Sequence, residues 1–168
     1  YVKRQKNDAA DAEAICEAVQ RPNMRFVPVK SEDQQSALML HKARNLIQRQ
    51  RTMLINALRA HMAELGVVAA QGPSRVADLI AIIEDDEDET IPHLAKAALR
   101  PMVTQLRACE TSAKKLESEI RAWHRDHEAS RRLASIPGLG EITASAIAAT
   151  VPDASFFRSG REFAAWLG

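Results

Sequence analysis

The stretch Met102-Val-Thr-Gln-Leu106-Arg-Ala-Cys109-Glu-Thr-Ser-Ala113-Lys-Lys-Leu116-Glu-Ser-Glu-Ile120-Arg-Ala-Trp123-His-Arg-Asp-His127 decides the fold class. Positions 102, 106, 109, 113, 116, 120, 123 and 127 follow a 4-3-4-3-4-3-4 spacing. That is the heptad period at which one helix buries a continuous seam against another. A second long helix is predicted upstream, where Ser31 and Gln34 form a capping box and the helix runs to Leu65 before stopping at Gly66. At 1.5 Å per residue it is about 50 Å long. Leu40, Ala43, Ile47, Leu54, Leu58 and Leu65 keep to one broad stripe, predicted to be its buried face. Two such helices, about 30 residues apart in sequence, either fold back as an antiparallel coiled-coil hairpin or pair with those of a second chain. The seam alone does not choose. Pro101 either kinks the second helix or sits in its first turn.

Composition agrees with a mainly α fold. Of 168 residues 46% are apolar, yet only two Trp, one Tyr and four Phe are present. Cys16 and Cys109 lack CxxC spacing and read as small apolar residues, which fits a reducing cytoplasm. No apolar run approaches the roughly 20 residues that span a bilayer. The net charge is only +1, but its distribution is uneven. Between His41 and His61 lie Lys42, Arg44, Arg49, Arg51 and Arg59 with no Asp or Glu, a face suited to phosphate backbones or equally to a solvated coiled coil. Glu84 to Glu89 is an unbroken acidic run, predicted to be solvated.

Upstream, the basic opening Lys3, Arg4, Lys6 leads into a helix from Asp8 to Val19 capped by Asn7 or Asp8. Arg21-Pro22-Asn23 breaks it, and Phe26 to Val29 reads as short and extended. Asp8 and Asp11 lie on one side of the first helical turn, where two carboxylates can hold a divalent metal or merely favour the helix dipole. Downstream, a short helix is expected from Ser74 to Glu84. The last section, Arg131 to Gly168, switches to short apolar helices punctuated by Pro and Gly. There Pro137-Gly138-Leu139-Gly140 joins two helices, with Ala144 at the fourth position of the second, the layout of a helix-hairpin-helix. Its glycines let the backbone approach a phosphate, whereas the competing reading is a tight helical hairpin built for packing. Ser135, Ser145, Ser155 and Ser159 have no base nearby in sequence, and the histidines at 41, 61, 93, 124 and 127 read as surface or seam residues.

Lys6-Asn-Asp8-Ala-Ala-Asp11-Ala, Arg25 to Lys30, Gln48 to Asn56, Ile136 to Gly140 and Phe157 to Gly168 occur in one order. Together they resemble the DEDD-type insertion-sequence transposases, the IS-one-hundred-and-ten group related to Piv-type DNA invertases. The resemblance implies an internal fragment: the remnant of a RuvC-like domain at 1–30, a helical coiled-coil region at 31–130, and the start of a C-terminal transposase domain with a helix-hairpin-helix at 131–168. It implies that Asp8 and Asp11 are the last two acids of a metal-binding tetrad for Mg²⁺, with the first two upstream of Tyr1 and the serine nucleophile beyond Gly168. No complete catalytic set is then present, and the fragment is expected to be inactive. Val151-Pro152-Asp153 departs from the family's more usual Gly-Asp pair. Implied partners are DNA, a noncoding guide RNA and a second copy through the coiled coil, in the nucleoid-associated cytoplasm of a bacterium. The alternative function is a non-catalytic nucleic-acid-binding or dimerisation module.

Overall fold

Ser31 starts the longest structural argument. Its hydroxyl accepts the Gln34 backbone N–H while Gln34 Oε1 accepts the Ser31 N–H, both at 3.1 Å, so the expected capping box forms and opens a helix over Glu32–Glu64. That helix stops at Gly66, whose φ of +83° suits glycine, and the Val67 N–H closes back onto the Met62 carbonyl. The computed structural model describes residues 7–24, 26, 28–70, 72, 74–151 and 153–167. Among them are seven α-helices and no strand: α1 Asp8–Gln20, α2 Glu32–Glu64, α3 Ser74–Glu84, α4 His93–Asp126, α5 Glu128–Ala134, α6 Glu141–Thr150 and α7 Gly160–Leu167. The mainly α expectation holds. Pro101 lies inside α4, which continues through it. The expectations placed on Lys3, Arg4, Lys6, Arg25 and Val27 fall outside the described residues.

The helices α2 and α4 pack antiparallel. Asp33 meets Trp123, Arg44 meets Glu117 and Arg51 meets Glu110, so partner numbers fall along α4 as they rise along α2. The seam keeps the heptad spacing but is displaced from the expected one. On α4 it runs through Leu99, Val103, Leu106, Glu110, Ala113, Glu117, Ile120 and His124. On α2 it runs through Ala37, His41, Arg44, Gln48, Arg51, Ile55, Leu58 and Met62. Leu106, Ala113 and Ile120 belong to both seams, while Met102, Leu116, Trp123 and His127 are only half-buried at its flank and Cys109 is buried there. Counting apolar residues misplaces the line because Glu110 and Glu117 each meet an arginine, which lets charged residues occupy seam positions. Likewise, on α2 Leu58 is buried as expected, but Leu40, Ala43, Ile47 and Leu54 are half-buried and Leu65 is exposed.

At one end of the hairpin α3 lays Val76, Leu79 and Ile83 against Leu58, Met62, Leu99 and Val103, forming the main core. Full burial of each large side chain contributes about 1.5–3 kcal/mol. The acidic run that follows is largely exposed yet is tied down. Arg107 grips Glu84 at 2.5 and 2.8 Å, Arg100 bonds Asp86 and the Ile83 carbonyl, and the buried Lys96 ammonium donates to the Asp85 carbonyl at 2.6 Å and to that of Asp88. With Glu84 and Asp86 of the six-residue run paired to arginines and Lys96 holding two loop carbonyls, the acidic run closes the α3–α4 loop.

At the other end α6 rests on α2 and α4 through buried Ala144, Ala148 and Ala149, whose small side chains permit close approach. Ser145 Oγ lies 3.2 Å from His41 Nε2 and donates to the Ile142 carbonyl at 3.0 Å, so the ring nitrogen supplies the proton between them. Gln34 Nε2 donates to the carbonyls of Ala148 and Val151 at 3.3 and 3.2 Å, closing the C-terminal end of α6. His124 Nδ1 and Ser130 Oγ, both buried, meet at 2.7 Å across the joint of α4 and α5. His41 and His124 thus stand at seam positions, one of the two places expected of them, and from there fasten α6 and α5. Residues 30–151 form one compact unit that includes α5 and α6.

The described residues of 1–29 and 152–168 belong to a second unit. In it α1 is capped by Asn7, whose side chain accepts the Ala10 N–H at 2.7 Å, and it buries none of its residues. Ile15 and Val19 are 65% and 64% exposed, and Cys16, expected to act as a small apolar residue, is exposed beside them. Phe157 packs on Phe163 and Trp166 of α7 with ring centroids 5.2 and 5.3 Å apart.

Candidate nucleic-acid interface

The five basic residues singled out on α2 separate into two kinds. Arg44 donates through Nε and Nη2 to Glu117 at 2.8 and 2.6 Å, and Arg51 does the same to Glu110 at 3.0 and 2.9 Å. Arg59 holds the loop after α2 through the carbonyls of Ala70 and Gly72. These three are committed to the fold. Lys42 and Arg49 turn outward, exposed and without an ion pair among the described residues.

Helix α4 adds cations that the single-helix reading missed. Arg100, Arg107, Lys114 and Arg121 recur every seven residues and so form one row beside the seam. In an antiparallel pair this row lies on the side toward which Lys42 and Arg49 turn. Neither helix places an Asp or Glu in these rows, whereas α3, the loop after it and α6 reach in with Glu84, Asp86 and Glu141 to engage Arg107, Arg100 and Arg121. Lys114 is exposed and, with Lys42 and Arg49, leaves a track of uncompensated positive charge. The seven-residue recurrence of basic residues was the signal in the sequence that could have found it.

The turn from Ser135 to Gly140 links α5 to α6. Gly138 has φ +92°, outside the reach of most L side chains, and the Leu139 N–H returns to the Ile136 carbonyl at 3.0 Å. Pro137, Gly138 and Gly140 are exposed and Leu139 is half-buried. Gly140 caps α6 with no side-chain hydrogen bond, and the Ala144 N–H bonds its carbonyl at 2.9 Å. Exposed Arg131 and Arg132 lie in the last turn of α5 beside this turn.

Asp8 and Asp11 sit exposed in the first turn of α1. Mg²⁺ prefers an octahedron of oxygens, and these two carboxylates offer only part of one. Among the described residues no group of three or more His, Cys, Asp or Glu comes together to complete it, so the residues present do not by themselves fit the ion. Nor does the Ser145–His41 pair make a nucleophile, because Ser145 is wholly buried and its hydroxyl proton is already given to a carbonyl.

Residues 130–168, which include this turn, match the model of the Transposase IS116/IS110/IS902 family. The whole chain is 48% identical over 168 residues to a transposase of Sinorhizobium fredii, covering 43% of that protein. The chain belongs to the IS116/IS110/IS902 transposase family. It is also 42% identical over 169 residues to a family 20 transposase of Pseudomonas aeruginosa, and 37% identical over 168 residues to the transposase for insertion sequence element IS1328 of Yersinia enterocolitica, covering 50% and 49% of them. The chain therefore spans about half the length of the curated relatives it matches. No solved structure matches it. Among the described residues no helix is long and apolar enough to cross a membrane.

Proposed function

We propose that this chain is the nucleic-acid-holding scaffold of a DEDD-type transposase that cleaves and rejoins DNA strands in the bacterial cytoplasm. The observation that carries the reading is whole-chain similarity to transposases, joined to a fold whose hairpin has one face to which neither α2 nor α4 contributes a carboxylate and on which Lys42, Arg49 and Lys114 stay unpaired among the described residues. Lys42, Arg49 and Lys114 would neutralise backbone phosphates, and the Pro137 to Gly140 turn would act as a helix-hairpin-helix, presenting the N–H groups at the start of α6 to another phosphate. Contacts of this type position a duplex without reading its sequence. A guide RNA that pairs with DNA would supply that reading and could lie on the same basic track. Asp8 and Asp11 would give two carboxylates to a Mg²⁺ site whose remaining ligands come from elsewhere in a longer protein, and the chain would work as a homo-oligomer.

The test is fluorescence anisotropy with a 30-bp duplex and with a structured RNA across a salt series. The charge reversals K42E, R49E and K114E together are expected to weaken binding on the order of 10–100-fold and to flatten the salt slope by about two to three. Binding that ignores salt, or that is unchanged in the triple variant, would remove the basic track from the reading.

A further inference from the structure

The α4 row of cations is longer than the positive charge it shows. At 1.5 Å per residue Arg100, Arg107, Lys114 and Arg121 stand about 10 Å apart and span about 32 Å. Both ends are taken by acids from other elements: Glu84 holds Arg107 through two oxygens at 2.5 and 2.8 Å, Asp86 bonds Arg100, and Glu141 lies 3.4 Å from Arg121. Among the described residues only the middle is open, because Glu110 and Glu117, the nearest acids to Lys114 along α4, are held by Arg51 and Arg44. Around the row the face is polar without being acidic. Thr104, Thr111 and Ser118 stand between its members at i+4, and Asn45, Thr52 and Asn56 stand three or seven residues from Lys42 and Arg49, all six exposed. Hydroxyl and amide groups of this kind contact sugar and phosphate oxygens.

We propose that this face seats the backbone of a DNA duplex, and that Glu84, Asp86 and Glu141 are built-in competitors that hold its outer cations until phosphates displace them. The proposal rests on the nucleic-acid reading above and extends it from three free cations to six. The three pairs are exposed, with Asp86 at 73% and Arg121 and Glu141 at 56% and 53%, so water screens them and each resists displacement only weakly. The loop does not depend on them. Lys96 holds the Asp85 and Asp88 carbonyls and Arg100 Nε the Ile83 carbonyl, so the carboxylates of Glu84 and Asp86 can swing away from a backbone that stays in place. Glu141 opens α6, and its departure uncovers the helix terminus beside the Pro137 to Gly140 turn, where a phosphate can replace a carboxylate at the positive end of the dipole. A duplex fits better than a single strand, because neither α2 nor α4 before Trp123 carries a Phe, Tyr or Trp on which an unpaired base could stack. The row of about 32 Å also matches one duplex turn of about 34 Å.

Fluorescence anisotropy with a 30-bp DNA duplex at fixed salt tests the proposal. E84Q with D86N and E141Q is expected to bind about 3- to 100-fold more tightly than wild type, since each exposed pair contributes up to about fivefold. E87Q with E89Q and E119Q makes the same change in net charge away from the arginine pairs and should gain several-fold less. A two-residue cycle removes the remaining effect of charge: R107Q should weaken binding about two- to fivefold more in the E84Q background than in wild type, where the arginine must first give up Glu84. Equal gains in the two triple variants, or an equal cost of R107Q in both backgrounds, overturns the competition. Salt-dependent binding that E84Q with D86N and E141Q leaves unchanged also overturns the competition, with the nucleic-acid reading standing. A wild-type chain and triple variant that both bind no duplex overturn the two together. A gain seen with an RNA duplex of the same length and not with DNA overturns the choice of DNA.

Discussion

Replacing either partner of the Arg44–Glu117 pair should cost far more than replacing both. The two side chains are 23% and 28% exposed, and two guanidinium nitrogens reach one carboxylate oxygen at 2.8 and 2.6 Å. At an effective dielectric of about 20 the bare attraction of unit charges 4 Å apart is about 4 kcal/mol. Desolvation and the ordering of two flexible side chains remove much of it, and partial exposure lets water screen more. A net attraction of about 1–2 kcal/mol remains, above the range of an exposed pair and below that of a fully buried one, and the coupling read by a mutant cycle is larger, about 2–4 kcal/mol, because each single change also leaves a charge unpaired. Arg44→Met leaves Glu117 in the seam between Ala113 and Ile120 with no arginine to meet it, and Glu117→Leu strands the arginine, so each single change is expected to destabilise by about 1.5–2.5 kcal/mol. The double variant fills the seam with apolar volume and should fall within about 1 kcal/mol of wild type. Urea unfolding of the four proteins closes a double-mutant cycle. The reasoning fails if the coupling is below about 0.3 kcal/mol, or if the double variant is as unstable as the sum of the singles.

Burial, with the Arg44 cation next, holds the His41 ring below its usual 6.5, so the unfolded chain takes up a proton that the folded chain resists. Its contribution to stability is fully present above pH 6.5 and is lost as the pH falls below that value; thermal melts at pH 7.5 and 5.5 should show a steeper loss for wild type than for H41Q. Gly138→Ala forces a Cβ into φ +92° and should cost about 1–2 kcal/mol, read as a lower urea midpoint with no change in slope. Lys96→Met takes the donor from the Asp85 and Asp88 carbonyls and should cost about 1–3 kcal/mol, with faster amide exchange confined at first to residues 85–91.

Much of this architecture was legible because it is written in local chemistry. The Ser31–Gln34 box, the stop at Gly66, the α3 helix and the turn at Gly138 each depend on a few adjacent residues, and each stands where the sequence places it. The seam was legible in period but not in phase. Its phase depends on which α4 glutamate meets which α2 arginine, a pairing across 59 and 73 residues that no window along one helix contains. The same limit explains the basic residues. Lys42 and Arg44 look alike in sequence, yet one is free and the other is held by Glu117. His41 and Ser145, 104 residues apart, become partners only when α6 folds onto α2. Asp8 and Asp11 keep the position on one helical turn that their spacing gives, but a metal site is a matter of what else converges there.

Gln34 joins two ends of the chain that the order of residues holds far apart. It caps the first turn of α2 and also binds the carbonyl of Val151, while Gln35 Nε2 binds that of Lys30 at 3.0 Å. The polypeptide thus enters and leaves the unit 30–151 through one doorway. Topologically the unit is a closed ring with a single seal, so a short linker from Val151 to Lys30 would replace the native entry and exit.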